Sequence, residues 1–254
     1  MEKREYNSLY VLKAFAALAV LMVHFEFWRR QYFAPLYYCG VPIFYVIIYS
    51  KSVDDRKCRI KKSMIKILKV AIVFNFIYFL LDFLIEGRMP FHSFQDIFRL
   101  IVYGDVIAGH LWFLNSYFWV LLLFLLASNL KKGDTYLLVL SLIFLLVGLS
   151  ERQYSFVFDF KKCFTLDFYI PSLSVSLSMM FLGYSFRKYE KIIEKFVESR
   201  GKLVNIVLLI AIIALYIEHR VLSMTGHFSG GFMMSTFFAT PVFFLYCLKY
   251  ILIY

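Results

Sequence analysis

A lysine and a histidine share the first long apolar run of the chain, Leu9 to Phe27, as Lys13 and His24. Imidazole exchanges a proton near neutral pH, and an ionisable side chain at membrane depth is costly enough to mark a functional position. Eleven positions on a helix are about three turns and about 16 Å of rise, so the two groups fall on one face. One stripe then carries an ammonium near one membrane surface and an imidazole near the other. Beside this stands the plain alternative of a snorkelling lysine and a hydrogen-bonded core histidine.

The surrounding sequence dictates where such a stripe can sit. The 254 residues are 61% hydrophobic and 20% aromatic, with a mean hydropathy of +0.71, which excludes an ordinary soluble domain. The net charge of +11 is spread between apolar runs and does not form one face. Membrane topology accounts for it better than a nucleic-acid partner, and no nucleic acid is expected. The first run is too long to be a cleaved signal peptide and no small-residue cleavage site follows it, so it is expected to stay in the mature chain. Cys39, Cys58, Cys163 and Cys247 are scattered, with neither metal-ligand spacing nor a disulfide framework, and no metal site is expected.

Stretches with few or no charges recur at Leu9 to Phe27, Gln31 to Ser50, Ile65 to Leu81, Leu111 to Leu130, Thr135 to Ser150, Phe168 to Phe186, Leu203 to Ile217 and Phe232 to Lys249. The expected fold is all-α, a polytopic transmembrane helix bundle of about eight spans forming one integral-membrane domain over residues 1–254. With the N-terminus inside, the cytoplasmic segments hold sixteen basic residues and the opposite segments eight. The positive-inside rule therefore places both termini in the cytoplasm and His24 near the outer surface. Between the third and fourth spans, Phe91, Phe94, Ile97, Phe98, Ile101 and Val102 have helical spacing and suit a helix in the outer interface. The alternating charges of Lys188 to Arg200 read as a solvated helix without chemistry.

Five local features then coincide in order: KAFAALAVLMVH, in which ten residues separate lysine from histidine; CGVPIFYVIIYS; RIKKSMIKILKVAIVF; GHLWFLNSYFWVLLLF; and FLGYSFRKYEK. Together they resemble the acyltransferase-3 family of membrane-bound O-acyltransferases acting on envelope glycans. The first matches its basic-to-histidine signature, the second its glycine-valine-proline-aromatic span, and the third the basic start of its third span. The fourth matches its histidine-leucine-tryptophan span, and the last a recurrent span end. The chain departs from the pattern at Tyr10, where an acidic residue is usual, at Lys13 in place of arginine, and in lacking a serine-glycine after the second-span aromatics. Family members are usually longer, so the chain is expected to lack the family's final spans.

The resemblance implies transfer of an acyl group, most often acetyl, from acyl-CoA to a hydroxyl of an envelope carbohydrate. An alcohol is a poor nucleophile at neutral pH, and imidazole suits removal of its proton as it attacks a thioester. His24 is the candidate base, with Lys13 on its face and Asp82 as the preferred charge-orienting partner from another span. Lys62, Lys66 and Lys69 are candidates for the donor's phosphates. His110, Trp112 and Glu26 are candidates for the outer, acceptor side, with Trp112 able to stack on a sugar face or to serve an aromatic belt. Glu218, His219 and His227 read as loop residues on that same side. No tightly bound cofactor is expected; acyl-CoA, a carbohydrate acceptor and the lipid bilayer are the expected partners, in a bacterial inner membrane. The competing readings are a transporter or flippase using the same charges, and a truncated, non-catalytic relative.

Overall fold

The computed structural model describes residues 7–24, 30–49, 56–87, 93–102, 111–151, 154, 156–157, 171–228 and 232–253. Among them no strand occurs. The helices are α1 (Asn7–His24), α2 (Arg30–Tyr37), α3 (Gly40–Tyr49), α4 (Arg56–Glu86), α5 (Phe94–Val102), α6 (Trp112–Ala127), α7 (Gly133–Glu151), α8 (Pro171–Lys188), α9 (Glu190–Ser199), α10 (Gly201–Met224) and α11 (Met234–Ile253). Helix is the required answer for apolar chain in lipid, because it satisfies every backbone donor and acceptor within the segment. Helices α4, α7 and α10 contain apolar stretches long enough to cross a membrane, and α1, α2 with α3, α6 and α11 supply shorter ones. Large apolar side chains such as Leu84, Ile85, Leu146 and Leu209 stand exposed along them, as they must when lipid and not water is the solvent.

Two expectations about individual spans are corrected. The stretch from Gln31 to Ser50 is not one helix: a two-residue turn at Tyr38 and Cys39 separates α2 from α3. The run ended at Ile217 by its charges in fact continues to Met224, so Glu218 and His219 are helical residues of α10 and not loop.

The chain forms two compact units. One comprises Met1–Ser52, Leu146–Thr165 and Met179–Tyr254. Within it α1 packs on α3 and α11, and α11 packs along α10. Close backbone approach sets these contacts. A Cβ on Gly40 would lie 2.9 Å from the Ala19 Cβ and 3.0 Å from the Ala16 carbonyl, and one on Gly183 would lie 2.3 Å from the Val46 carbonyl oxygen. Small residues permit such approaches between membrane helices, where dispersion and not water exclusion drives packing.

The second unit comprises Val53–Leu145 and Leu166–Ser178, with α4 packed along α6. Helix α5 is the expected amphipathic connection, and a reciprocal capping box starts it. Ser93 N–H donates to the Asp96 carboxylate at 2.9 Å while the Asp96 N–H donates to Ser93 Oγ at 3.3 Å. Its last carbonyls, of Leu100 and Ile101, accept hydrogen bonds from Asn115 Nδ2 of α6 at 2.8 and 3.1 Å. The α5 C-terminus is thereby tied to the start of the next span.

Candidate functional site

In the first unit, α1 carries Lys13 and His24 as the spacing requires. Lys13 is half-buried, and its ammonium lies 5.0 Å from the centroid of the Tyr10 ring. The residue that replaces an acidic group one turn earlier therefore holds the cation by its ring face instead. His24 is the last residue of α1, and its side chain, like all of Glu26 and His110, falls outside the described residues. Because the position calls for a cation over an aromatic face, Lys13→Arg is expected to retain more acyl-transfer activity than Lys13→Ala. Equal activity of the two variants in a membrane assay would reduce Lys13 to a topological anchor.

The level of His24 within this unit follows from its neighbours. Phe15 of α1 meets Phe243 of α11 with ring centroids 6.0 Å apart. One turn further along α1, Ala16 and Ala19 meet Gly40, and the adjacent Cys39 thiol reaches the Thr240 side chain of α11. Rising numbers on α1 thus match falling numbers on α11, so the helices run antiparallel. His24 lies nine residues beyond Phe15, and Met234 nine residues before Phe243. The backbone of the proposed base is level with the first turn of α11.

That turn is built with care. Helix α10 ends in a Schellman motif: His227 N–H donates to the Leu222 carbonyl at 2.9 Å and Gly226 N–H to the Ser223 carbonyl at 3.4 Å, with Gly226 at φ 72°. One turn before that end, Glu218 uses both carboxylate oxygens to accept the first backbone N–H groups of α11, Met234 at 2.9 Å and Ser235 at 2.7 Å. A carboxylate there satisfies orphan donors and meets the positive end of the helix dipole. The Tyr154 hydroxyl also accepts from Met234 N–H, at 3.1 Å. Phe228 closes the corner, edge-on to the rings of Tyr38 at 5.5 Å and His219 at 4.6 Å.

The second unit holds the other sequence candidates. On α4 the packed positions Ile60, Ile67 and Ala71 continue at helical spacing into half-buried Asn75, Tyr78 and Asp82, so Asp82 belongs to the stripe that meets the unit's interior. Lys62, Lys66 and Lys69 are all exposed and their spacing of four and three places them together, on nearly the opposite side of the helix. They form an open cationic stripe. Lys57, near the same end, donates to Asn129 Oδ1 at 2.7 Å. Trp112 opens α6 as a half-buried residue. His24 and Lys13 therefore lie in one unit, and Asp82, the three lysines and Trp112 in the other.

The residue that sequence reasoning undervalued is Glu218. The signal was present as an acidic residue ending an apolar run with a serine-threonine pair opening the next, but only the chain's return from α10 to α11 pairs them.

All-helical structure with apolar helices of bilayer-spanning length defines a polytopic integral-membrane protein. The family profile described as an acyltransferase domain matches residues 6–252, so the chain belongs to the acyltransferase-3 family and to the class of membrane acyltransferases. Comparison with curated proteins and with solved structures gave no match.

Proposed function

We propose that this protein transfers an acyl group, acetyl by preference, from cytoplasmic acyl-CoA to a hydroxyl of an envelope polysaccharide. The observation that carries the reading is the paired Lys13 and His24 on one face of α1 in a chain whose family is acyltransferase-3. In this reading His24, as neutral imidazole, accepts the proton of the attacking hydroxyl while its oxygen adds to the thioester carbonyl. Collapse of the tetrahedral intermediate forms the ester and expels the coenzyme A thiolate, which takes up a proton. Asp82, on the packed stripe of α4, remains the carboxylate proposed for the catalytic machinery. His110, Trp112 and Glu26 are the groups proposed to meet the acceptor.

Both termini are proposed to be cytoplasmic, in a bacterial inner membrane, which puts Lys62, Lys66 and Lys69 on the side where acyl-CoA is found. Their exposed stripe suits phosphate groups, which Lys meets as a point charge. Isothermal titration of the purified protein with acetyl-CoA is the test. Affinity is expected to fall as salt rises from about 0.01 M to 1 M, where the screening length shrinks from about 30 Å to 3 Å. Lys66→Ala and Lys69→Ala are each expected to weaken binding by up to about fivefold, the ceiling for exposed ion pairs, and together by more than either alone. Folded protein that does not bind acetyl-CoA would contradict the donor assignment.

A further inference from the structure

The hydroxyls of Ser235 and Thr236, in the first turn of α11, are buried and have no hydrogen-bond partner among the described residues. The two residues are 6% and 0% exposed. Other helix-borne hydroxyls satisfy themselves by bonding back along their own helix: Ser116 to the Phe113 carbonyl, Ser141 to Leu138, Ser185 to Phe181 and Thr240 to Thr236. Ser235 and Thr236 do not. A buried hydroxyl left unbonded keeps its desolvation cost without compensation, so two adjacent ones at the end of a helix need an explanation.

We propose that these two hydroxyls, held in register by the Glu218 carboxylate, form the subsite that takes a hydroxyl group of the carbohydrate acceptor. The proposal rests on the acyl-transfer reading above. Three observations select a neutral polyol over other ligands. The Glu218 carboxylate already answers the α11 N-terminus with negative charge, which disfavours a phosphate or carboxylate ligand. Serine and threonine hydroxyls donate and accept, as sugar hydroxyls do, so each can complete the other's bonding. The corner also carries aromatic rings, Phe228 against Tyr38 and His219, and Phe156 stacked on His227 at 4.2 Å, and such faces suit the C–H surface of a sugar. The subsite is level with the His24 backbone by the α1–α11 register, so a hydroxyl bound there approaches the end of α1 that carries the base.

The test uses the full chain in lipid nanodiscs, with Ser235→Ala and Thr236→Val, the second being nearly isosteric. Acceptor is envelope polysaccharide from the source cells, stripped of its esters by mild alkali; donor is acetyl-CoA. Each variant is expected to raise the KM for polysaccharide by about 2–10-fold, as loss of one neutral hydrogen bond requires, and to leave acetyl-CoA affinity unchanged. Each is also expected to melt at the same temperature as wild type or higher, because an unpaired buried hydroxyl has been removed. Unchanged KM for polysaccharide in both variants, with wild type active, would overturn the subsite while leaving the acyltransferase reading intact. A lower melting temperature accompanied by parallel loss of acetyl-CoA affinity would assign the pair to structure and also overturn it. A wild-type protein that transfers nothing to the polysaccharide would instead contradict the function on which the subsite rests.

Discussion

Replacing His24 by alanine is expected to lower acyl transfer by about 10²–10⁴-fold, the range that a positioned general base supplies. The protein should still insert, because one polar residue at the end of α1 is exchanged for a small apolar one and the span remains. His24→Gln separates two roles of the imidazole: glutamine can hydrogen-bond but cannot take a proton at neutral pH. Both variants are therefore expected to show this loss, with acetyl-CoA affinity near that of wild type. Measured initial rates with wild-type levels of protein in the membrane check this. Full activity of His24→Ala would remove the base assignment, and full activity of His24→Gln would reduce it to hydrogen bonding.

The second large effect is on stability. Gly183→Leu is expected to destabilise the first unit by about 1–3 kcal/mol, the usual cost of forcing volume into a packed contact. The reason is specific: even a Cβ would stand 2.3 Å from the Val46 carbonyl oxygen and 2.9 Å from its carbon. That obstacle is backbone and cannot rotate aside. Thermal unfolding in detergent should show a lowered midpoint for Gly183→Leu and a smaller shift for Gly183→Ala. A midpoint equal to wild type for the leucine variant would show that α8 and α3 do not approach as closely as described.

The two cases differ in how the sequence carries them. The Lys13–His24 stripe is legible because a helix converts spacing directly into a shared face. The helical bundle is legible in the apolar stretches for the same reason that membrane helices must be helices at all. Gly183 and Gly40 lie inside motifs that signal the family, yet nothing local says why glycine is needed; the reason is the backbone of Val46 and of Ala16–Val20, both distant in sequence. The break between α2 and α3 is hidden in an unbroken apolar pattern. Glu218 misleads in the opposite sense: a charge ends a hydropathy window, but here it is tolerated on α10 because it caps α11. The lysine stripe on α4 was visible as a cluster, whereas its position opposite the packed Ile60–Ala71 face depends on which side meets α6.

The central claim is that this bundle moves an acyl group from coenzyme A to a hydroxyl. The full chain in lipid nanodiscs, which leave both membrane faces open to solutes, supplied with radiolabelled acetyl-CoA and de-esterified envelope polysaccharide, tests it most directly. The account predicts release of free coenzyme A thiol matched by alkali-labile label on the polysaccharide, both lost in His24→Ala. Well-folded wild-type protein that produces neither thiol nor labelled ester would contradict it.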